Sequence, residues 1–215
     1  MKLFLDTANV DSIRRAQATG LLDGVTTNPS KLAETGGKFS KVVEEICSIT
    51  PGPVSVEAMA KTAEGFVDEA QQIAAIAPNV IVKIPMTLEG LAAVSILEKE
   101  KDVRVNVTMI FSSTQAFLAM KAGASYISIV LSRLDAYANE SDILIGDAVT
   151  IQHNYGFETQ IIAGSLKTQN HVLSCLRAGV DIATIPESLF FQMFEHPLTD
   201  AGITQFARDW EKVPK

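Results

Sequence analysis

The chain has 215 residues, 47% of them hydrophobic and 20% charged, with a formal net charge of −7. That length and balance suit one globular domain with a substantial core, and no composition shift divides it. An acidic chain without a basic stripe argues against general nucleic-acid binding, and no apolar run approaches the roughly 18 residues needed to span a membrane. The opening Met1-Lys2-Leu3-Phe4-Leu5 meets Asp6 too early for a secretory leader. Cys47 and Cys175 lack any CxxC or histidine partner spacing and read as free thiols of a cytoplasmic protein.

The first predicted strand, 2–5, runs into Asp6 and the turn-like or capping Asp6-Thr7-Ala8-Asn9, and a helix over 10–19 ends at Gly20. A short strand at 24–26 leads to Asn28, then a helix over 38–48. The strand 54–57 ends on Glu57 and precedes a helix over 62–77. Next comes one of the most apolar stretches, Asn79-Val80-Ile81-Val82-Lys83-Ile84-Pro85-Met86, with a strand at 80–84 and a helix over 88–99. The strand 104–108 carries Asn106 and Thr108, and its helix spans 113–122 before Gly123. The strand 126–130 holds Ser128 and is followed by Ser132-Arg133-Leu134-Asp135 and a helix over 143–154. The strand 159–163 opens into Gly164-Ser165-Leu166-Lys167-Thr168, with a helix over 169–177 before Gly179. The last strand, 181–185, is followed by a helix over 187–196 and a C-terminal helical extension over 198–215.

Eight alternations of strand and helix imply a parallel sheet. The length is near the lower bound of about 200 residues for a closed (β/α)8 TIM barrel, and no GxGxxG follows the first strand to favour an open dinucleotide-binding sheet. We therefore expect an α/β fold with one barrel domain over 1–215. Seven of the eight strands end in polar residues: Asp6; Thr26 with Asn28; Glu57; Lys83; Asn106 with Thr108; Ser128; and Ser165 with Lys167. In such a barrel these ends meet at one mouth, where catalysis is housed.

Lys83 stands out because burying an ammonium without a partner is costly or drives the proton off, and a free amine is a nucleophile. The alternative is a lysine that snorkels into water from a strand end. An amine with carboxylates nearby can process a ketone through an imine, which needs a proton donor for water loss and a base for bond cleavage. Asp6 and Glu57 are the available groups, although Glu57 could also serve as a salt-bridge partner of Lys83. Arg133 and Lys167 could bind a phosphate, while Asp135 offers Arg133 an ordinary surface partner. His153, His171 and His196 show no metal-ligand spacing and read as surface or capping residues; no metal or cofactor is expected.

Four segments carry a specific resemblance: Phe4-Leu5-Asp6-Thr7-Ala8-Asn9, Gly24-Val25-Thr26-Thr27-Asn28-Pro29-Ser30, Val82-Lys83-Ile84-Pro85, and Asn106-Val107-Thr108-Met109-Ile110-Phe111. They resemble the transaldolases, most closely the small-subunit branch that includes fructose 6-phosphate aldolase, and the similarity runs on through His196-Pro197-Leu198-Thr199-Asp200 and Trp210. The resemblance implies that Lys83 forms the Schiff base, that Asp6 is the acid/base for carbon–carbon cleavage, and that Glu57 with Thr108 positions water. It implies contacts to the dihydroxyacetone part, or ordering of the lysine, by Thr26, Asn28, Asn106 and Ser128. Phosphate binding falls to Arg133, Ser165 and Lys167. Sugar phosphates are then the partners, and the branch forms pentameric rings paired into decamers, with the C-terminal helix reaching a neighbour. Ile203, Phe206, Ala207 and Trp210 do form an apolar helical stripe, which packing on the chain's own barrel would equally explain.

Glu57, Asn106, Thr108 and Ser128 follow the transaldolase pattern, whereas Lys167 resembles the aldolase type. Val130 departs from both, since the family has an aromatic residue there; either a neighbouring side chain refills the space or one wall of the site is missing. We expect a transaldolase, with release of free dihydroxyacetone by an aldolase as the first alternative and a non-catalytic sugar-phosphate-binding barrel as the second.

Overall fold

Eight parallel strands close into a barrel in chain order, β1 pairing with both β2 and β8. This is a computed structural model that describes residues 1–214; residue 215, part of the expected C-terminal segment 198–215, lies outside the described residues. The strands are β1 (Lys2–Asp6), β2 (Gly24–Thr26), β3 (Val54–Glu57), β4 (Val80–Pro85), β5 (Val105–Ile110), β6 (Tyr126–Val130), β7 (Gln160–Gly164) and β8 (Ile182–Ile185). The connecting helices are α1 (Val10–Gln17), α2 (Pro29–Glu34), α3 (Phe39–Ile49), α4 (Ala63–Ala74), α5 (Leu88–Glu100), α6 (Ser113–Ala122), α7 (Leu131–Asp135), α8 (Ser141–Tyr155), α9 (Gln169–Ala178) and α10 (Glu187–Gln192), with α11 (Pro197–Trp210) closing the chain. None is long and apolar enough to cross a membrane.

The strands are apolar on both faces because both are buried, as a parallel sheet requires. One face packs under the helices in a large cluster that includes Val25, Val56, Val82, Ile84 and Val107. The other faces into the barrel, where Phe4, Ile81, Tyr126, Ile162 and Ile182 form a separate buried cluster. Gly24 makes room for this plug: a Cβ there would lie 2.6 Å from the Phe4 ring and 2.7 Å from the Pro53 carbonyl oxygen. Truncating a fully buried aromatic such as Phe4 costs about 3–5 kcal/mol in comparable cores.

One device repeats where strands hand over to helices. Asn9, Asn28, Thr62, Thr87, Ser112 and Thr168 each cap the following helix with a side-chain oxygen that accepts from a first-turn N–H. At the other end, Gly123 and Gly179 cap α6 and α9 in the left-handed conformation, φ 94° and 79°. Gly20, expected to do the same, has φ 74° but lies beyond the end of α1, whose C-cap is Ala18.

Other differences from the sequence expectation are local. The helices α2 and α7 were not foreseen, because six and five residues are too few for a 3.6-residue period to register. α10 stops at Gln192 rather than near 196, because His196 precedes a proline and adopts extended backbone. His196 then caps α11, its Nδ1 accepting from Leu198 N–H at 3.1 Å. β5 continues two residues past 108 through a register shift between Val107 and Ile110, where Met109 takes φ 62°.

At the opposite end from the polar strand ends, the Glu98 carboxylate accepts from the N–H groups of Val105 and Ser125, both at 2.7 Å, and from Ser125 Oγ at 2.9 Å. Burial holds its pKa above the usual carboxylate range despite these bonds. Cys47 and Cys175 are buried and free. Burial raises their thiol pKa values to about 11 and about 12, so at neutral pH they stay protonated and unreactive.

Candidate active site

Side chains alternate along a strand, so residues two positions beyond the apolar plug also face inward. Ile81 leads to Lys83, Tyr126 to Ser128, Phe4 to Asp6 and Ile182 to Thr184. A polar layer therefore lies directly above the plug, at the C-terminal mouth of the barrel.

Strand register brings the two central groups together. Glu57 on β3 is the register partner of Lys83 on β4, and Glu57 Oε2 lies 3.4 Å from Lys83 Nζ, with side chains only 17% and 14% exposed. The amine also donates to the Thr27 carbonyl oxygen at 3.3 Å. Lys83 is therefore held inside the mouth, and the expected alternative of an ammonium snorkelling into water does not describe it. The salt bridge expected as an alternative for Glu57 is thus present, and it sets a carboxylate beside the amine.

Beside the amine, Asn106 is the β5 register partner of Lys83 and is fully buried. Its Nδ2 donates to Ser55 Oγ at 3.2 Å, and its Oδ1 accepts from Ser128 Oγ at 2.8 Å. This chain of bonds fixes the orientation of the amide and spans three strands. On the other side of the barrel, Asp6 Oδ1 accepts from Thr26 Oγ1 at 3.2 Å. Thr26 Oγ1 also lies 2.6 Å from Thr184 Oγ1. Asp6 Oδ2 is 3.5 Å from Lys31 Nζ.

Two of the expected site residues, and the atypical Val130, sit differently from this group. The Asn28 Oδ1 is occupied as the α2 cap, accepting from Lys31 N–H at 3.0 Å. Thr108 is buried as the register partner of Pro85, two residues beyond Lys83 on β4, and among the described residues its hydroxyl makes no hydrogen bond to Glu57. Val130 is half-buried and its β7 partner is Gly164. A neighbour on β7 therefore does not refill the place of the absent ring.

The cationic rim is built from α7, which follows β6 directly, and the loop after β7. Arg133 and Lys167 are exposed, and Ser132 Oγ and Ser165 Oγ lie 2.5 Å apart, joining α7 to that loop. Ser165 holds φ 59°, backbone that a non-glycine residue seldom adopts and that recurs at functional sites. Asp135 does not pair with Arg133, whose Nη1 instead approaches Met109 Sδ at 3.8 Å. The Asp135 partner is His171: Asp135 Oδ2 is 3.2 Å from His171 Nε2, while His171 Nδ1 accepts from Lys167 N–H at 3.0 Å. The hydrogen bonds assign the proton to Nε2 and make the imidazole a brace between α7 and the loop that carries Lys167.

Sequence reasoning did not single out Ser55, Thr184, Lys31 or the bracing role of His171. Period-2 alternation carries the signal for two of them: Ser55 precedes Glu57 by two, and Thr184 is the polar inward residue of β8. A cavity of about 640 Å³ opens beside Glu57 between α2, α3 and α4. Neither Lys83 nor Asp6 lines it, so it adjoins the polar layer rather than forming it. Among the described residues no group of three or more His, Cys, Asp or Glu side chains could hold a metal ion.

Comparison with known proteins gives a consistent set of likenesses. A family model described as Transaldolase/Fructose-6-phosphate aldolase matches residues 3–215. A protein of Hydrogenobaculum sp. named "Probable transaldolase" is 52% identical over 214 residues, covering 100% of this chain and 98% of its own length. Another of that name from Aquifex aeolicus is 50% identical over 215 residues, covering 100% and 99%. Among solved structures, thiamine phosphate pyrophosphorylase from Pyrococcus furiosus aligns with a TM-score of 0.62 at 16% identity over 88% of this chain and 87% of its own. Orotidine 5'-monophosphate decarboxylase from Methanocaldococcus jannaschii aligns at 0.60 and 14%, over 88% and 90%. These two likenesses concern the barrel fold alone.

Proposed function

This chain belongs to the transaldolase/fructose-6-phosphate aldolase family, and from that premise we propose that it is a transaldolase moving a dihydroxyacetone unit from a ketose phosphate to an aldose phosphate. The observation that carries the reading is the Lys83–Glu57 pair at 3.4 Å inside the barrel mouth.

Glu57 takes a proton from Lys83, and the free amine attacks the ketone carbon, C2, of the donor. Glu57 returns the proton to the departing hydroxyl, so water leaves and an iminium forms. Asp6 removes the C4 hydroxyl proton; the C3–C4 bond breaks, its electron pair flows into the iminium, and an aldose phosphate departs. The enamine left on Lys83 attacks the acceptor aldehyde, Asp6 returns its proton to the new hydroxyl, and water hydrolyses the imine. Thr108 belongs to the water-handling side of this scheme. Asn106 and Ser128, ordered through Ser55, hold the three-carbon unit, with Thr26 on the Asp6 side and the Asn28 Nδ2 left for a substrate hydroxyl. Arg133, Ser165 and Lys167 take the phosphate. The chemistry needs no cofactor or metal, and the partners are small sugar phosphates rather than nucleic acid or membrane.

Fructose 6-phosphate is expected to turn over much faster when erythrose 4-phosphate is supplied, with sedoheptulose 7-phosphate appearing as product. Lys167 favours the second reading, an aldolase, whereas the small Val130–Gly164 wall departs from both types. Release of free dihydroxyacetone at the same rate without acceptor would establish that activity in place of transfer.

We further propose that the chain forms one barrel domain with the segment from 198 onward as its extension, and free buried thiols accord with a reducing cytoplasm. We also assign a homo-oligomer, a pentamer or decamer. On α11, Leu198, Ile203, Phe206 and Trp210 are each more than 60% exposed, so this apolar stripe does not pack on its own barrel and suits a neighbouring subunit. Light scattering is expected to give five or ten times the 23.1 kDa chain mass; a monomeric mass would overturn the assignment.

A further inference from the structure

Lys31 has no part in the scheme above, yet it makes closer contact with Asp6 than any other charged group. It stands in the first turn of α2, where the Asn28 cap accepts its backbone N–H. From there its side chain reaches back to the end of β1. Nζ donates to the Asp6 carbonyl oxygen at 2.6 Å and lies 3.5 Å from Asp6 Oδ2. Both side chains are three-quarters shielded from solvent, so the pair is less screened than an ordinary surface ion pair.

The geometry points to Lys31 as a positioning residue that aims the Asp6 carboxylate at the reacting bond. A carboxylate at the end of a short side chain rotates freely about Cβ–Cγ unless both oxygens are held. Thr26 Oγ1 holds one oxygen, but at 3.2 Å, and the same hydroxyl is engaged with Thr184 at 2.6 Å. If that hydroxyl donates to Thr184, Oδ1 loses its donor, and the Lys31 ammonium is then the one remaining restraint among the described contacts. Lys31 grips Asp6 at two points, carbonyl and carboxylate, and so fixes the torsion between them. A proton acceptor a fraction of an ångström out of line loses much of its effect. Lys31 therefore acts through Asp6 on carbon–carbon cleavage and has no role in imine formation, which belongs to Lys83 and Glu57 on β4 and β3.

This inference rests on the proposed transaldolase chemistry, and the test separates the two. Dihydroxyacetone with borohydride traps the imine on Lys83 without any cleavage step, whereas turnover of fructose 6-phosphate with erythrose 4-phosphate requires cleavage. Lys31→Met is expected to trap dihydroxyacetone at the wild-type rate but to cleave about 10- to 100-fold more slowly, part of the 10²–10⁴ that a positioned acid/base supplies, with KM for the donor little changed. Lys31→Gln keeps a donor for the Asp6 carbonyl oxygen while removing the charge; it is expected to fold and to show the same split. Lys31→Arg is expected to restore most of the cleavage rate. Cleavage at the wild-type rate in the Met and Gln variants overturns the inference. So does a parallel loss of trapping and cleavage in both, which would mark a merely structural role. Wild-type protein that traps no dihydroxyacetone on Lys83 overturns the underlying reading, and this inference with it.

Discussion

Lys83→Met is expected to abolish turnover of fructose 6-phosphate, by at least about 10⁴-fold and toward the roughly 10⁶-fold loss that follows deletion of a covalent nucleophile. The methionine has nearly the length of the lysine and no amine, so the barrel keeps its packing while the electrophile-binding atom disappears. Borohydride added with fructose 6-phosphate is expected to leave an adduct on the wild-type chain and none on the variant, read by mass spectrometry. An adduct that survives the substitution would remove the imine mechanism. The variant also leaves Glu57 without its partner at 3.4 Å. An unpaired carboxylate in a shielded site destabilises the fold, though water reaches this one partly and reduces the cost. Adding Glu57→Gln to Lys83→Met therefore restores stability but no activity, which separates the chemistry of the pair from its contribution to folding.

Asp6→Asn is expected to slow carbon–carbon cleavage by about 10²–10⁴-fold, the usual contribution of a positioned acid/base. The amide has the shape of the carboxylate and can still accept from Thr26 Oγ1, but it cannot take the C4 hydroxyl proton. Trapping of dihydroxyacetone on Lys83 is expected to continue, since imine formation draws on Glu57 instead. Steady-state turnover with both sugar phosphates measures the first quantity and borohydride trapping the second. Wild-type turnover in the variant would place the cleavage base elsewhere.

The barrel was legible because its strands are apolar runs separated by amphipathic helices, a pattern that local propensity and burial both impose. Lys83 was legible for a related reason: a cation in the middle of Val80-Ile81-Val82-Lys83-Ile84 contradicts its surroundings and so requires a partner. Strand register then supplies Glu57, and no local pattern carries register. Asn28 shows why strand-end polarity is ambiguous, because the same residue types cap helices and line the mouth, and here one amide oxygen does the capping. Lys31 was out of reach, since its approach to Asp6 depends on α2, a helix too short to leave a periodic trace. The helical position of His171 reads as a surface or capping role, and only the tertiary fold brings Asp135 and the Lys167 backbone to its two nitrogens.

The plug of Phe4, Ile81, Tyr126, Ile162 and Ile182 has a bearing on the order of events. It stops the barrel like a cork directly beneath the amine, so nothing passes through the molecule from end to end. Under the proposed scheme, a sugar phosphate that enters by the mouth has to go out again past the same Arg133 and Lys167 rim. The first aldose would then vacate that rim before a second takes its place, while the proposed three-carbon fragment waits on Lys83. The barrel thus behaves as a cul-de-sac, and its closed end, far from any reacting atom, sets the turnover to alternate between departure and arrival.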